Sequence, residues 1–228
     1  MYKLEAATDR AELLLYDDIG AGFFGGISAQ QVLEDLKDVD DKTPLDVRIN
    51  SPGGDVFDGV AIYNALARRT GPVRVFVDAL AASIASVIAM AGEPIVMSRG
   101  SMMMIHDPWT LTYGSASELR RVAELLDTIK DNIADIYDQQ SGAELDDIRQ
   151  MMLDETWMDA EQAVALGFAD DVEANVERVA AAVVPFGRYK NTPSQFKSKE
   201  GESPASFWRR ESRAARLALL SGKRQGRR

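Results

Sequence analysis

The sequence predicts an α/β fold, a parallel sheet covered by helices and built from repeated strand–turn–helix units. Three observations carry this. Short apolar or alternating runs recur along the first half of the chain, turn residues follow them, and segments with apolar residues at helical spacing come next. The first unit is ELLLYDDI as a strand followed by SAQQVLEDLKDV as a helix, in which Ser28 with Gln31 three residues on forms a capping-box pattern and Val32, Leu36 and Val39 share a face. The second is the alternating LDVRIN, Leu45 to Asn50, then the turn SPGGD, then VFDGVAIYNALARR, which Thr70-Gly71-Pro72 stops. VRVFVD, Val73 to Asp78, is a third strand, AASIASVIAMAG a helix rich in small residues, and PIVM and MMMIH two further short strands.

Two later segments complete the expectation. Between Ala116 and Gln140, Leu119, Val122, Leu126, Ile129, Ile133 and Ile136 recur at steps of three and four, so a long helix carries an apolar stripe that must meet either the body or a second copy. Asp159 with Gln162 forms a capping box for the helix AEQAVAL, which Gly167 ends.

Composition narrows the chemistry. The chain has 228 residues, no cysteine and one histidine, which leaves no disulfide, thiolate metal site or cysteine nucleophile and makes an imidazole zinc site improbable; neither metal nor cofactor is expected. The mixed charge of the N-terminus and the shortness of IASVIAMAG as an apolar run predict a soluble chain without a secretory signal or membrane span. The net charge of −10 is unevenly placed: Pro185 to Arg228 hold 12 basic and 3 acidic residues, or +9, and residues 1–184 hold 14 and 33, or −19. This divides the chain into a main domain over 1–184 and a basic linker and tail over 185–228, with a short amphipathic helix expected in ASFWRRESRAARLALL. Such a tail suits nucleic acid, an acidic partner or the body itself, and composition does not choose among them.

The single histidine, His106, follows Ser83 by twenty-three residues, and a serine hydroxyl needs a neighbouring imidazole to become a nucleophile at neutral pH. Ser83 lies where a strand gives way to a helix, among the small residues Ala81, Ala82 and Ala85. A serine at a helix start is ordinarily a cap, and paired glycines such as those of SPGGD ordinarily make a turn, although they also present amides to an anion.

Taken in order, NSPGGDVFDGVAIYNAL, AASIAS, MIHDP and ETWMDAEQAVALGFAD closely resemble the Clp protease proteolytic subunit family of serine peptidases. Within it the AAS-x-AS and ETW-x-x-A patterns resemble the phage head maturation (prohead) proteases, and the likeness runs from about Leu13 to Val172. The resemblance implies a Clp protease/crotonase-like fold with a long projecting handle helix, at Ala116 to Gln140. It implies Ser83 as nucleophile, His106 as general base, Asp170 as the acid orienting it, and the backbone N–H groups of Gly54 and Ile84 as oxyanion donors. Asp107 and Asp171, beside the base and the acid, are alternative carboxylates. It further implies a ring-like homo-oligomer, an extended peptide bound along PWTLTYG, and a capsid or scaffold precursor as substrate, in the host cytoplasm or inside the prohead. Tyr113 is a candidate for lining that groove, whereas Trp109 is read as a core aromatic. The chain has no Walker-type loop, and its sequence does not decide whether an ATP-driven unfoldase partners it. Two other classes fit parts of the pattern: a crotonase-like acyl-CoA enzyme, which shares the glycine-made oxyanion hole, and a catalytically idle ring or scaffold component.

Overall fold

The computed structural model describes residues 1–7, 9–21, 26–173 and 188–193. Tyr2–Ala182 form one compact unit, which contains every element below; residues 188–193 belong to a second. The expected tail helix lies outside the described residues.

The elements run β1 (Tyr2–Ala6), β2 (Ala11–Leu15), α1 (Ala29–Leu36), β3 (Leu45–Ser51), α2 (Val56–Ala67), β4 (Val73–Ala82), α3 (Ile84–Ala89), β5 (Ile95–Ser98), β6 (Met102–Ile105), α4 (Ala116–Ser141), α5 (Leu145–Leu153), β7 (Thr156–Asp159), α6 (Ala160–Ala165) and β8 (Asp171–Glu173). The sheet has the order β1-β2-β3-β4-β5-β8, parallel from β2 onward, with β1 antiparallel at its edge. A parallel α/β core was expected; the two antiparallel pairs, β1 with β2 and β6 with β7, were not.

β4 decides the architecture. It is longer than its alternating segment predicts and divides its bonding: Val75 to Val77 pair with β5, whereas Leu80 to Ala82 pair with β6. A strand that feeds two neighbours in succession carries the chain out of the main sheet, and Ser83 stands at its end. The alanines after Asp78 are buried strand residues rather than the start of a helix, because both sides of this stretch are covered and only small side chains fit.

Local chemistry explains the helix boundaries. Ser28 Oγ accepts from Gln31 N–H, Asp55 Oδ1 from Phe57 and Asp58 N–H, and Asp159 with Gln162 makes the full reciprocal box. The core lies between the sheet and the helices, with Leu13, Val47, Ile49, Ile62, Val75, Ile84 and Phe168 among its buried members. α5 has no counterpart in the sequence-based expectation, although Leu145, Ile148 and Met152 are at helical spacing; it packs beside α4.

α4 answers the question of its stripe in two halves. Ile133, Ala134 and Tyr137 are buried in the body and Ile129 and Ile136 pack against it, while Leu119 remains 42% exposed, Val122 and Leu126 are half-buried, and Leu125, beside the stripe, is 51% exposed. The first half of the helix therefore projects, with its stripe only partly covered in the single chain. No helix among the described residues is long and apolar enough to cross a membrane.

The other face of the sheet carries a charged cluster. The Asp78 side chain is fully buried and is bound by both Nε and Nη2 of Arg48 and by the Tyr16 hydroxyl. Burial and the neighbouring carboxylate push the Tyr16 hydroxyl well above its ordinary pKa, so it stays a donor. Asp46 likewise receives Arg10 and both Nε and Nη2 of Arg74, and the two guanidinium groups of Arg48 and Arg74 lie 5.2 and 5.4 Å from the Phe76 ring. Removing one member leaves a buried charge short of its counter-ion. Arg48→Leu is expected to cost about 3 kcal/mol in denaturant unfolding, whereas the exposed-pair variant Arg149→Leu is expected to cost under about 1 kcal/mol.

Candidate active site

Ser83 has φ 56° and ψ −130°, a left-handed conformation that a residue with a side chain occupies only under constraint. The constraint is visible on three sides. Its N–H donates to Met104 O at 2.8 Å, fixing it to β6. Gly53 presses on the opposite side so closely that a Cβ there would lie 2.6 Å from Ala82 O and 2.8 Å from Ser83 Cβ. Ala81, Ala82 and Ala85 close the third side, fully buried. A sharp strand-to-helix turn of this kind raises the hydroxyl out of the sheet.

His106 arrives by register. β6 runs parallel to β4 with Ala82 opposite Met104, so the residue following β6 reaches the elbow, and His106 Nε2 lies 2.7 Å from Ser83 Oγ. For this bond to serve deprotonation the hydroxyl donates to Nε2 and the ring proton sits on Nδ1.

The two amides expected as donors come from the glycine turn and the start of α3. In the glycine turn, Gly53 N–H is taken by Ser51 Oγ at 3.2 Å and Asp55 N–H by Ile19 O at 2.8 Å, which leaves the Gly54 N–H between them. Ile84 opens α3, where an N–H has no intrahelical acceptor, and its nitrogen is 3.3 Å from the position of a Cβ on Gly53. The glycine turn and the helix start thus meet at the elbow.

The Clp protease family's sequence pattern matches residues 4–176. The chain belongs to the Clp protease family. An ATP-dependent Clp protease proteolytic subunit of Pleurastrum terricola is 35% identical over 63% of this chain and 74% of its own length. Proteolytic subunit 1 of the ATP-dependent Clp protease of Protochlamydia amoebophila is 29% identical over 76% and 85%, and the ATP-dependent Clp protease proteolytic subunit of Bacteroides fragilis 32% over 60% and 67%. Clp proteases are serine peptidases, and the chain has the mixed α/β fold of that family.

Asp170, the acid that the resemblance implies, has its carboxylate bonded at the start of β5. Asp170 Oδ2 accepts from Ile95 N–H at 2.6 Å and Asp170 N–H donates to Ile95 O at 2.8 Å, so both groups are tied to the start of β5. Ile95 pairs with Val75, near the beginning of β4, whereas Ser83 follows its end. Asp171 is exposed in β8, its Oδ1 accepting from Val172 N–H at 2.7 Å. Asp107 follows the histidine, its N–H donating to Met152 O at 3.1 Å.

The sheet offers a different carboxylate. β6 and β7 pair antiparallel with Ile105 opposite Thr156, so His106 and Glu155 are the residues that adjoin the last pair of this register. Glu155 is 8% exposed, has φ 53°, and accepts from Trp157 Nε1 at 3.2 Å through Oε1. Apart from Ser83 it is the non-glycine residue with positive φ among those described. Glu155 lies within the ETW-x-x-A motif, so the signal was present, but one sequence without strand register does not say which carboxylate faces the histidine.

The segment after His106 also differs from expectation. Trp109 is 60% exposed and not a core aromatic, and Leu111 and Tyr113 are more than 90% exposed. Every second residue of an irregular stretch is therefore large, apolar and in water.

Gly53→Ala tests the elbow's packing: the new Cβ meets backbone at φ 87°. It is expected to lower stability by about 1–3 kcal/mol and to slow fluorophosphonate labelling of Ser83, read by thermal unfolding and intact mass.

Proposed function

We propose that this chain is a serine endopeptidase in which Ser83 attacks, His106 moves the proton, Glu155 orients the imidazole, and the Gly54 and Ile84 amides receive the oxyanion. The 2.7 Å contact between His106 Nε2 and Ser83 Oγ at a strained elbow is the observation that carries this reading. As Oγ bonds to the peptide carbonyl carbon, its proton passes to Nε2 and the carbonyl oxygen gains negative charge beside the two amides. The imidazolium then protonates the departing amine, and water, deprotonated by the same nitrogen, releases the acyl group. A carboxylate facing Nδ1–H favours the required tautomer and stabilises the imidazolium, and the register of β6 with β7 favours Glu155 over Asp170 for this.

The substrate is an extended peptide lying along residues 107–114, where exposed backbone and alternating apolar side chains suit strand addition. The AAS-x-AS and ETW-x-x-A patterns support a head maturation protease that cleaves a capsid or scaffold precursor. The partly uncovered stripe on the projecting half of α4 supports self-association into rings, in which that helix meets a second copy.

Ser83→Ala is expected to abolish fluorophosphonate labelling and peptide hydrolysis while leaving the thermal midpoint near its original value; hydrolysis by a clean preparation of that variant would refute the reading. Glu155→Gln is expected to lower kcat on the order of 10³-fold or more, and Asp170→Asn less than about threefold, in a peptide ester assay. The reverse ranking would return the orienting role to Asp170. Leu119→Glu with Leu126→Glu is expected to reduce the assembly to smaller species in sedimentation velocity. Co-expression with a phage capsid precursor should yield new termini with the unaltered enzyme and none with Ser83→Ala.

A further inference from the structure

Against the carbonyl of the elbow lies a pair of buried hydroxyl groups that the reaction just described does not use. Ser86 in α3 is fully buried, and its Oγ is 2.6 Å from Ser83 O, 3.0 Å from Met104 O and 2.9 Å from Tyr137 Oη. Its N–H also donates to Ser83 O, at 2.9 Å. Tyr137 comes from α4, is 1% exposed, and rests its ring against Phe168 with centroids 5.6 Å apart.

Counting protons orders the cluster. Both carbonyl oxygens can only accept, and Ser86 has one hydroxyl proton to give. The shortest contact assigns that proton to Ser83 O, and the Tyr137 hydroxyl then donates to Ser86 Oγ. Ser83 O is thereby held by two donors from one residue.

The consequence follows from peptide geometry. The unit joining Ser83 to Ile84 is planar and trans, so its C=O and the Ile84 N–H point in opposite directions. Holding the oxygen from behind fixes the plane and turns the Ile84 N–H forward, toward the place where an oxyanion forms. Without that hold, the plane beside a residue in a left-handed conformation can rock about Ser83 ψ and Ile84 φ, and the donor loses its aim.

We infer that Ser86 and Tyr137 are positioning residues that aim the Ile84 amide into the oxyanion site, with Tyr137 orienting the Ser86 hydroxyl. This rests on the peptidase reading. Neither touches the reacting atoms; their effect passes through one peptide plane.

The test separates aim from stability. Ser86→Ala removes a donor to Ser83 O, and Tyr137→Phe removes the second hydroxyl while keeping the ring against Phe168. Active sites in each preparation are titrated with a fluorophosphonate, and kcat and KM for a peptide ester are measured per titrated site. Both variants are expected to lose on the order of tenfold in kcat per site with KM within about twofold, and the double variant to fall little further than the worse single one. A role confined to stability would lower the thermal midpoint and the titratable fraction and leave kcat per site unchanged, and that result overturns the inference. Failure of the unaltered protein to label at Ser83 would instead remove the peptidase reading, and the pair's role with it.

Discussion

The conformation of one residue constrains the rest of the site. Ser83 is held with positive φ at the end of a strand that has already changed partners, and such a backbone costs about 1–3 kcal/mol that local sequence cannot recover. It persists because its surroundings leave no alternative: Met104 O holds its N–H, Gly53 fills the space a relaxed chain would enter, and the flanking alanines admit no shift. The division of β4 is the topological side of the same fact. Had β4 continued beside β5, the histidine that follows β6 would have no route to the hydroxyl.

The molecule separates rigid from exposed parts accordingly. Ser83 and His106 stand on the ends of paired strands, where register sets their separation, and the Gly53–Gly54 turn and the start of α3 are pressed together. Around this frame, the projecting half of α4 and the segment after His106 display apolar side chains to water. Large exposed apolar residues on an ordered helix mark surfaces that meet other chains. Tyr137 belongs to the buried half of that same helix, so the element that offers the interface also reaches the elbow from behind.

Much of this was legible in the sequence where the signal is local. Caps at Ser28 and Asp159, the strand over Leu45 to Asn50, the glycine turn and the long helix follow from propensity and periodicity, and each is present. The pairing of Ser83 with His106 followed from counting: one histidine permits one imidazole base. Choosing among carboxylates was not legible, because Asp107, Glu155, Asp170 and Asp171 are alike in type and their separation depends on strand register. Trp109 shows the same limit, since burial depends on what covers a side chain and not on its polarity.

By itself, then, the amino-acid order determined the capped helices at Ser28 and Asp159, the strand over Leu45 to Asn50, the long helix α4 and which imidazole could meet Ser83, because these depend on neighbours within a few residues or on there being a single candidate. The tertiary structure alone decided that β4 serves two neighbours, that the Asp170 carboxylate is bonded to Ile95 N–H, and that the hydroxyl groups of a serine and a tyrosine fifty-one positions apart meet behind one turn. Those depend on distances between segments remote along the chain, which packing sets and composition does not encode position by position.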